Sequence, residues 1–232
     1  MSLVAKKKAA TSIPPIDAGT YVGVCVGVID IGEQKNDMYN TYSQKAIFIF
    51  EISSERVIVE DEDKPRWLSE TYTVSLNEKS NLAKMLISWR GKDFTEEELD
   101  GFDLASMVGK PCQLQVLVVQ KKDGGSCNKI AGVFGLPKGL PAPKPENPLM
   151  TYQIEDGENE VFLTLPEWIR ERIKKSTEWQ TSHNGAEKLG FDDLEPDNAA
   201  QTPAAEKQTE EPIRSDVEPT EASILDPDDL PF

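Results

Sequence analysis

Histidine is almost missing: His183 is the only one in 232 residues. That excludes most zinc sites and any histidine-based catalytic dyad unless His183 itself serves. Cysteine is scarce as well. Cys25, Cys112 and Cys127 form an odd, widely spaced set with no Cys-x-x-Cys. They fit reduced thiols in a reducing compartment better than a disulfide framework, and they read as small core residues inside strands. No apolar run approaches the ~18 residues a membrane helix needs. The best stretch, 22–29, is short and broken by Gly27. Lys6, Lys7 and Lys8 open the chain, but no apolar core of a secretion signal follows, so a cytoplasmic location is expected. A phosphate loop is also lacking, since Gly135 to Gly139 has no Lys-Ser/Thr ending. Hydrophobic residues make up 38%, below the roughly 45–50% of fully packed chains. Part of this one is not expected to pack.

What is abundant is negative charge, and it is unevenly placed. The net charge is −16, from 25 basic and 41 acidic residues. Residues 191–232 hold thirteen acids against Lys207 and Arg214, a net −11. The first 190 residues hold 28 acids and 23 bases, a net −5. The terminal segment is also poor in apolar residues, so it cannot offset the roughly 1–2 kcal/mol per residue that ordering costs. Residues 185–232 are expected to be disordered, either as a solubilising tail or as an interaction tail. Residues 1–15 read as a flexible basic arm ending at Pro14 and Pro15.

Between these ends lies a strand-rich body. Residues 21–31 alternate Val22, Val24, Val26 and Val28 with Gly23, Cys25 and Gly27. This is a strand, and its glycines suggest a bend or bulge. A polar loop at 32–42 leads to an almost wholly apolar strand at 44–52, which 56–60 extends. A charged turn at 60–64 precedes a third strand at 70–76. Leu82, Met85, Leu86 and Trp89 then mark one helix face between an Asn77 cap and Gly91. Thr95 and Glu98 form a capping box, with Phe94 and Leu99 placed as a hydrophobic staple. Strands at 112–119 and 127–134 flank a turn at 121–125. Three strands, a helical insertion and two more strands is the order of a five-stranded OB-fold barrel; a sandwich with an inserted helix is the rival. The barrel spans 16–139. A proline-rich linker, a short strand at 161–165 and an amphipathic helix from Pro166 fill 140–184 and are expected to pack on it. Trp168, Ile169 and Ile173 give that helix an apolar side; Arg170, Arg172, Lys174 and Lys175 give it a basic one.

Nothing here demands an enzyme, a cofactor or a metal. Glu60, Asp61, Glu62 and Asp63 could hold Mg²⁺ for a nuclease, but consecutive acids on a turn more often form a solvated surface. Binding of single strands is better supported, because it needs aromatic faces for bases and cations for phosphates. Lys35, Tyr39, Tyr42 and Lys45 interleave the two types. Lys64, Arg66 and Trp67 repeat the combination, Tyr72 follows, and the last hairpin offers Lys121, Lys122 and Lys129. In an OB barrel these segments converge on one groove.

The chain ends Asp226-Pro227-Asp228-Asp229-Leu230-Pro231-Phe232. This ending resembles the acidic tip of bacterial single-stranded DNA-binding proteins, typically Asp-Asp-Ile-Pro-Phe. In that family the tip docks on replication, recombination and repair enzymes. Phe232 would supply an apolar anchor and a carboxylate, Pro231 would restrict the free ensemble, and the aspartates would steer the approach. Three further stretches carry a second likeness: Ser75-Leu76-Asn77-Glu78-Lys79-Ser80-Asn81-Leu82, then Trp89-Arg90-Gly91-Lys92-Asp93-Phe94-Thr95-Glu96-Glu97-Glu98-Leu99, then Val108-Gly109-Lys110-Pro111-Cys112. They are similar to small phage-encoded OB-fold single-stranded DNA-binding proteins, over roughly 19–139. The resemblance implies a non-enzymatic, sequence-independent single-stranded DNA-binding protein of a bacterial host's cytoplasm. It would recruit partner enzymes through its tip, with no membrane partner, and could self-associate. The alternatives are an adaptor or inhibitor that captures host repair enzymes without binding DNA, and the Mg²⁺-dependent nuclease.

Overall fold

The strand nearest the N-terminus, β1 (Gly19–Asn36), organises the molecule. In the computed structural model, which describes residues 13–36, 39–59, 62–121 and 124–187, β1 pairs with β2 (Thr41–Val59) along one side. Its other side pairs with β4 (Pro111–Gln120) over residues 19–24, then with the short parallel strand β6 (Met150–Tyr152) at residues 27–29. β3 (Glu62–Thr73) extends the sheet beyond β2, and β5 (Ser126–Phe134) extends it beyond β4. The order is β3-β2-β1-β4-β5, all antiparallel. The sheet curls until β3 approaches β5, where the Glu70 carboxyl reaches the backbone of Ile130. The fold is therefore mainly β, a curled antiparallel half-barrel of five strands with helices added.

The curl has a local cause. A bulge between Cys25 and Gly27 breaks the expected period of two in β1. Cys25 and Val28 consequently face one core, while Val24, Val26 and Ile29 face another. The simple alternation of four valines on one face does not hold. Gly23 makes the close approach possible, since a Cβ there would sit 2.9 Å from the Glu51 carbonyl oxygen.

The first core lies inside the curl. Phe48, Phe50, Ile52, Leu114 and Val116 meet Leu82, Leu86 and Trp89 of α1 (Asn81–Arg90). The helical spacing of the apolar residues is as expected, but Ser80 is the cap: its hydroxyl accepts from the Ala83 amide at 3.0 Å. Asn77 lies one turn too early. Gly91 ends the helix at φ 69°. Trp89 donates its indole N–H to the Pro111 carbonyl at 2.9 Å, tying α1 to β4. α2 (Glu96–Asp100) opens on the expected Thr95–Glu98 capping box. The staple does not form, because Leu99 is half-exposed and Phe94 packs edge-on against Phe102 instead. Arg90 lies over both rings and pairs with Glu98.

The second core lies on the outer face of β1 and β2. Ile29, Ile31, Ile47 and Ile49 are covered by Tyr152, Phe162, Leu165, Ile169, Ile173 and Trp179. These come from β6, α3 (Glu160–Thr164), α4 (Glu167–Lys174) and α5 (Thr177–Glu187). Burial on both faces explains why 46–52 is almost continuously apolar. The expected strand at 161–165 is a helical turn, capped by Asn159 on the Phe162 amide. This segment packs on the outer face of β1 and β2. Its entry is fixed by Glu51, a fully buried carboxylate on β2. Glu51 accepts from the amides of Glu146 (3.0 Å) and Asn147 (2.9 Å), from Asn147 Nδ2 (2.7 Å) and from the Ser53 hydroxyl (2.8 Å). None of the described helices is long and apolar enough to cross a membrane.

Candidate nucleic-acid interface

The β1–β2 hairpin projects as a two-stranded arm, where the sequence reading had a polar loop. Its end carries Lys35 directly opposite Tyr42 in the ladder. Tyr39 and Tyr42 are 48% and 54% exposed, unusually high for large aromatic side chains in a folded body. Asn40, at φ 50°, turns the chain between them. Lys35, Tyr39 and Tyr42 therefore stand together at the end of the arm.

Further down the ladder the candidates separate by face. Lys45 pairs with Thr73 across β2–β3, and its ammonium lies 3.2 Å from the Thr73 hydroxyl. Alternation places Lys45 on the outer face with Ile47 and Ile49, and places Thr71, Ser69 and Trp67 beside it on β3. Trp67 is partly buried against the second core. Tyr72 and Arg66 alternate to the other side. Tyr72 packs edge-on against Phe48 at 5.7 Å between ring centres. Burial, followed by the Glu70 charge, raises its hydroxyl pKa well above the ordinary tyrosine value. Arg66 is partly buried, burial lowers its pKa, and its Nε has no hydrogen-bond partner. Neither ring nor guanidinium lies on the face that carries Lys45 and Trp67.

Lys64 sits on the β2–β3 hairpin and pairs with Glu62 at 2.6 Å, while Asp63 pairs with Arg56 at 2.9 Å. Half of the acidic run is thus engaged by neighbouring cations; Glu60 and Asp61 lie outside the described residues. Lys121 and Lys129 are exposed on the β4–β5 hairpin, Lys129 opposite Leu117 and within the field of Glu70. Lys122 lies outside the described residues, as do Asp226, Asp228, Asp229, Leu230, Pro231 and Phe232.

The outer face of β1 and β2 is sealed by α3–α5, but that of β3 is bordered by α4 rather than covered. Arg172 donates to the Thr71 hydroxyl at 2.9 Å. Its guanidinium carbon lies 5.9 Å from the Trp168 ring centre. The Arg172 carbonyl accepts from Gln34 Nε2 at 3.0 Å, joining α4 to the base of the arm. Trp168 is 46% exposed, so it does not share the buried side with Ile169 and Ile173 as the apolar grouping suggested. Neither Trp168 nor Arg172 was among the candidates. The available signal was their i, i+4 spacing, which puts both on one helix flank.

A cleft of about 300 Å³ opens elsewhere, between Val28, Gln44, Phe102 and Tyr152. Asp30, Asp103 and Glu155 line it. Burial, with Glu155 adding to it, raises the Asp30 pKa. Three acids make this cleft unsuited to phosphate. Searches against protein-family models and against curated proteins find no match to this chain.

Proposed function

We propose that this chain is a sequence-independent single-stranded DNA-binding protein built on an OB-type barrel. It would act in phage DNA replication, recombination and repair and recruit partner enzymes through its acidic C-terminal tip. The observation that carries the reading is the arm of β1 and β2. Its end presents two exposed tyrosines and a lysine, the residue types that stack on unpaired bases and pair with phosphates. The strand connectivity supports it too. A three-strand meander, a helix closing the core and a two-strand hairpin returning to β1 is the OB order.

The sealed outer face of β1 and β2 shapes the path. In this reading the strand crosses the edge of the hairpin from Lys35 and Tyr42, which alternate to the inner side, to Lys45 and Thr73, and then follows β3 toward Trp67. That is nine residues of β2, about 30 Å at ~3.4 Å per residue. The test is a titration of the full chain with oligo-dT and with duplex DNA across a range of salt concentrations. Tight, salt-sensitive binding to the single strand and weak binding to duplex is expected. Absence of oligo-dT binding at low salt would leave the adaptor reading in its place.

A further inference from the structure

We infer that helix α4 forms one wall of the single-strand track, with Trp168 as a stacking platform and Arg172 as a phosphate contact. This rests on the single-strand-binding reading and deepens it. At 100° per residue, Ile169, Ile173 and Ser176 of α4 and its C-terminal end point into the second core. Trp168, Arg172 and Lys175 fall on the flank that the Arg172–Thr71 bond turns toward β3. Arg170 and Lys174 fall on the opposite flank, where Lys174 pairs with Glu158 at 3.4 Å. Glu167 and Glu171 point straight out to solvent.

The result is a strip without acids in a body of net negative charge. On β3 its outward residues are Trp67, Ser69, Thr71 and Thr73; on β2 the neighbour is Lys45. Glu70 alternates to the inner face. Glu51, the one outward acid on this stretch of β2, is buried under the linker, with its oxygens occupied by the four donors described above. An anion approaching β3 from outside therefore meets Lys45, Arg172 and Lys175, hydroxyls and two indoles. That chemistry fits a polyanion carrying flat apolar rings, a single-stranded polynucleotide. It does not fit duplex DNA, whose bases are stacked away from such platforms. Arg172 is poised for the role, since one of its nitrogens anchors on Thr71 and the guanidinium keeps further donors. The Gln34 bond to its carbonyl joins the strip to the base of the arm; Lys35, the next residue, alternates with Tyr42 to the other face of the hairpin.

The experiment uses the full chain and oligo-dT. Trp168→Ala should weaken binding by roughly 5- to 150-fold, the equivalent of one stacked base. Arg172→Gln should flatten the plot of log affinity against log salt by about 0.7, one phosphate contact on a single strand. Glu171→Gln, on the solvent side of the same helix, should change neither by a comparable amount. Thermal melts of all three should match the parent, because these side chains lie outside both cores. If the parent binds and both variants bind with the parent's affinity and salt slope, α4 is no wall of the track while the single-strand reading stands. If the parent itself fails to bind oligo-dT, both fall together.

Discussion

Replacing Glu51 by Gln tests the buried carboxylate that clamps the linker. The side chain is fully buried and accepts four hydrogen bonds, three from residues 146 and 147 and one from Ser53. A glutamine of the same shape keeps one acceptor oxygen but turns an amide toward donors. The Ser53 hydroxyl can rotate to accept from it; the Asn147 or Glu146 amides cannot. Hydrogen bonds to a charged group are worth about 1.5–3 kcal/mol each. The displaced amides sit at the edge of the linker, where water can reach them, so a net loss near ~2 kcal/mol is expected. For a chain of this size that is roughly 4–8 °C in melting temperature. The pH dependence gives a second check. Burial pushes the Glu51 pKa up, but the hydrogen bonds outweigh it and leave the carboxyl below its ordinary value. A depressed pKa adds stability above the unfolded-state value, about 4.3, and that stability fades as pH falls through the folded value. The gap between parent and Glu51→Gln should therefore be constant from pH 7 to about 5.5 and close below about pH 4. Denaturant melts at a series of pH values would measure it. Equal stability at pH 7, or a gap that widens on acidification, would refute the clamp.

Three further outcomes are expected. Trp179→Ala removes a buried ring stacked on Phe162 at 5.1 Å and should cost about 3–5 kcal/mol in a denaturant melt; a cost below 1 kcal/mol would mean that α5 is loosely held. Tyr39→Ala and Tyr42→Ala should each weaken oligo-dT binding by roughly 5- to 150-fold, read by fluorescence titration, with an unchanged melting temperature. Deleting residues 191–232, which carry a net −11, should tighten oligo-dT binding at low salt by removing a tethered competitor for the basic track; unchanged or weaker binding would count against such competition.

Much of the body was legible from local patterning. The 82/85/86/89 helix face, the Thr95–Glu98 box and the strand at 44–52 follow from periodicities and caps that act within a few residues. The misreadings share a cause, in that each was decided by contacts distant in sequence. The glycines of β1 signalled a bulge, which falls at 25–27, but not how it would reorder the faces of that strand. Val161, Phe162, Leu163 and Leu165 look like a strand, yet the Asn159 cap and the packing of Phe162 on Trp179 make the first three helical and leave Leu165 as the C-cap. Phe94 finds Phe102 and Arg90 rather than Leu99, because Arg90, held by Glu98, lays its guanidinium over both rings. At the candidate interface, residue types could be listed from the sequence. Their division between faces depended on β2–β3 register, which moved Tyr72 and Arg66 inward. The roles of Trp168 and Arg172 depend on the bond from Arg172 to Thr71, a contact across 101 residues of sequence.

The hand-over along β1 has a practical consequence. Where β4 leaves that strand's edge at Val24, β6 takes it up at Gly27. A fragment stopping at residue 139 would bare a row of backbone amides and carbonyls together with Ile29, Ile31, Ile47 and Ile49. Sticky margins of that kind recruit neighbouring chains into aggregates. Preparations trimmed for crystallisation should therefore keep everything through α5.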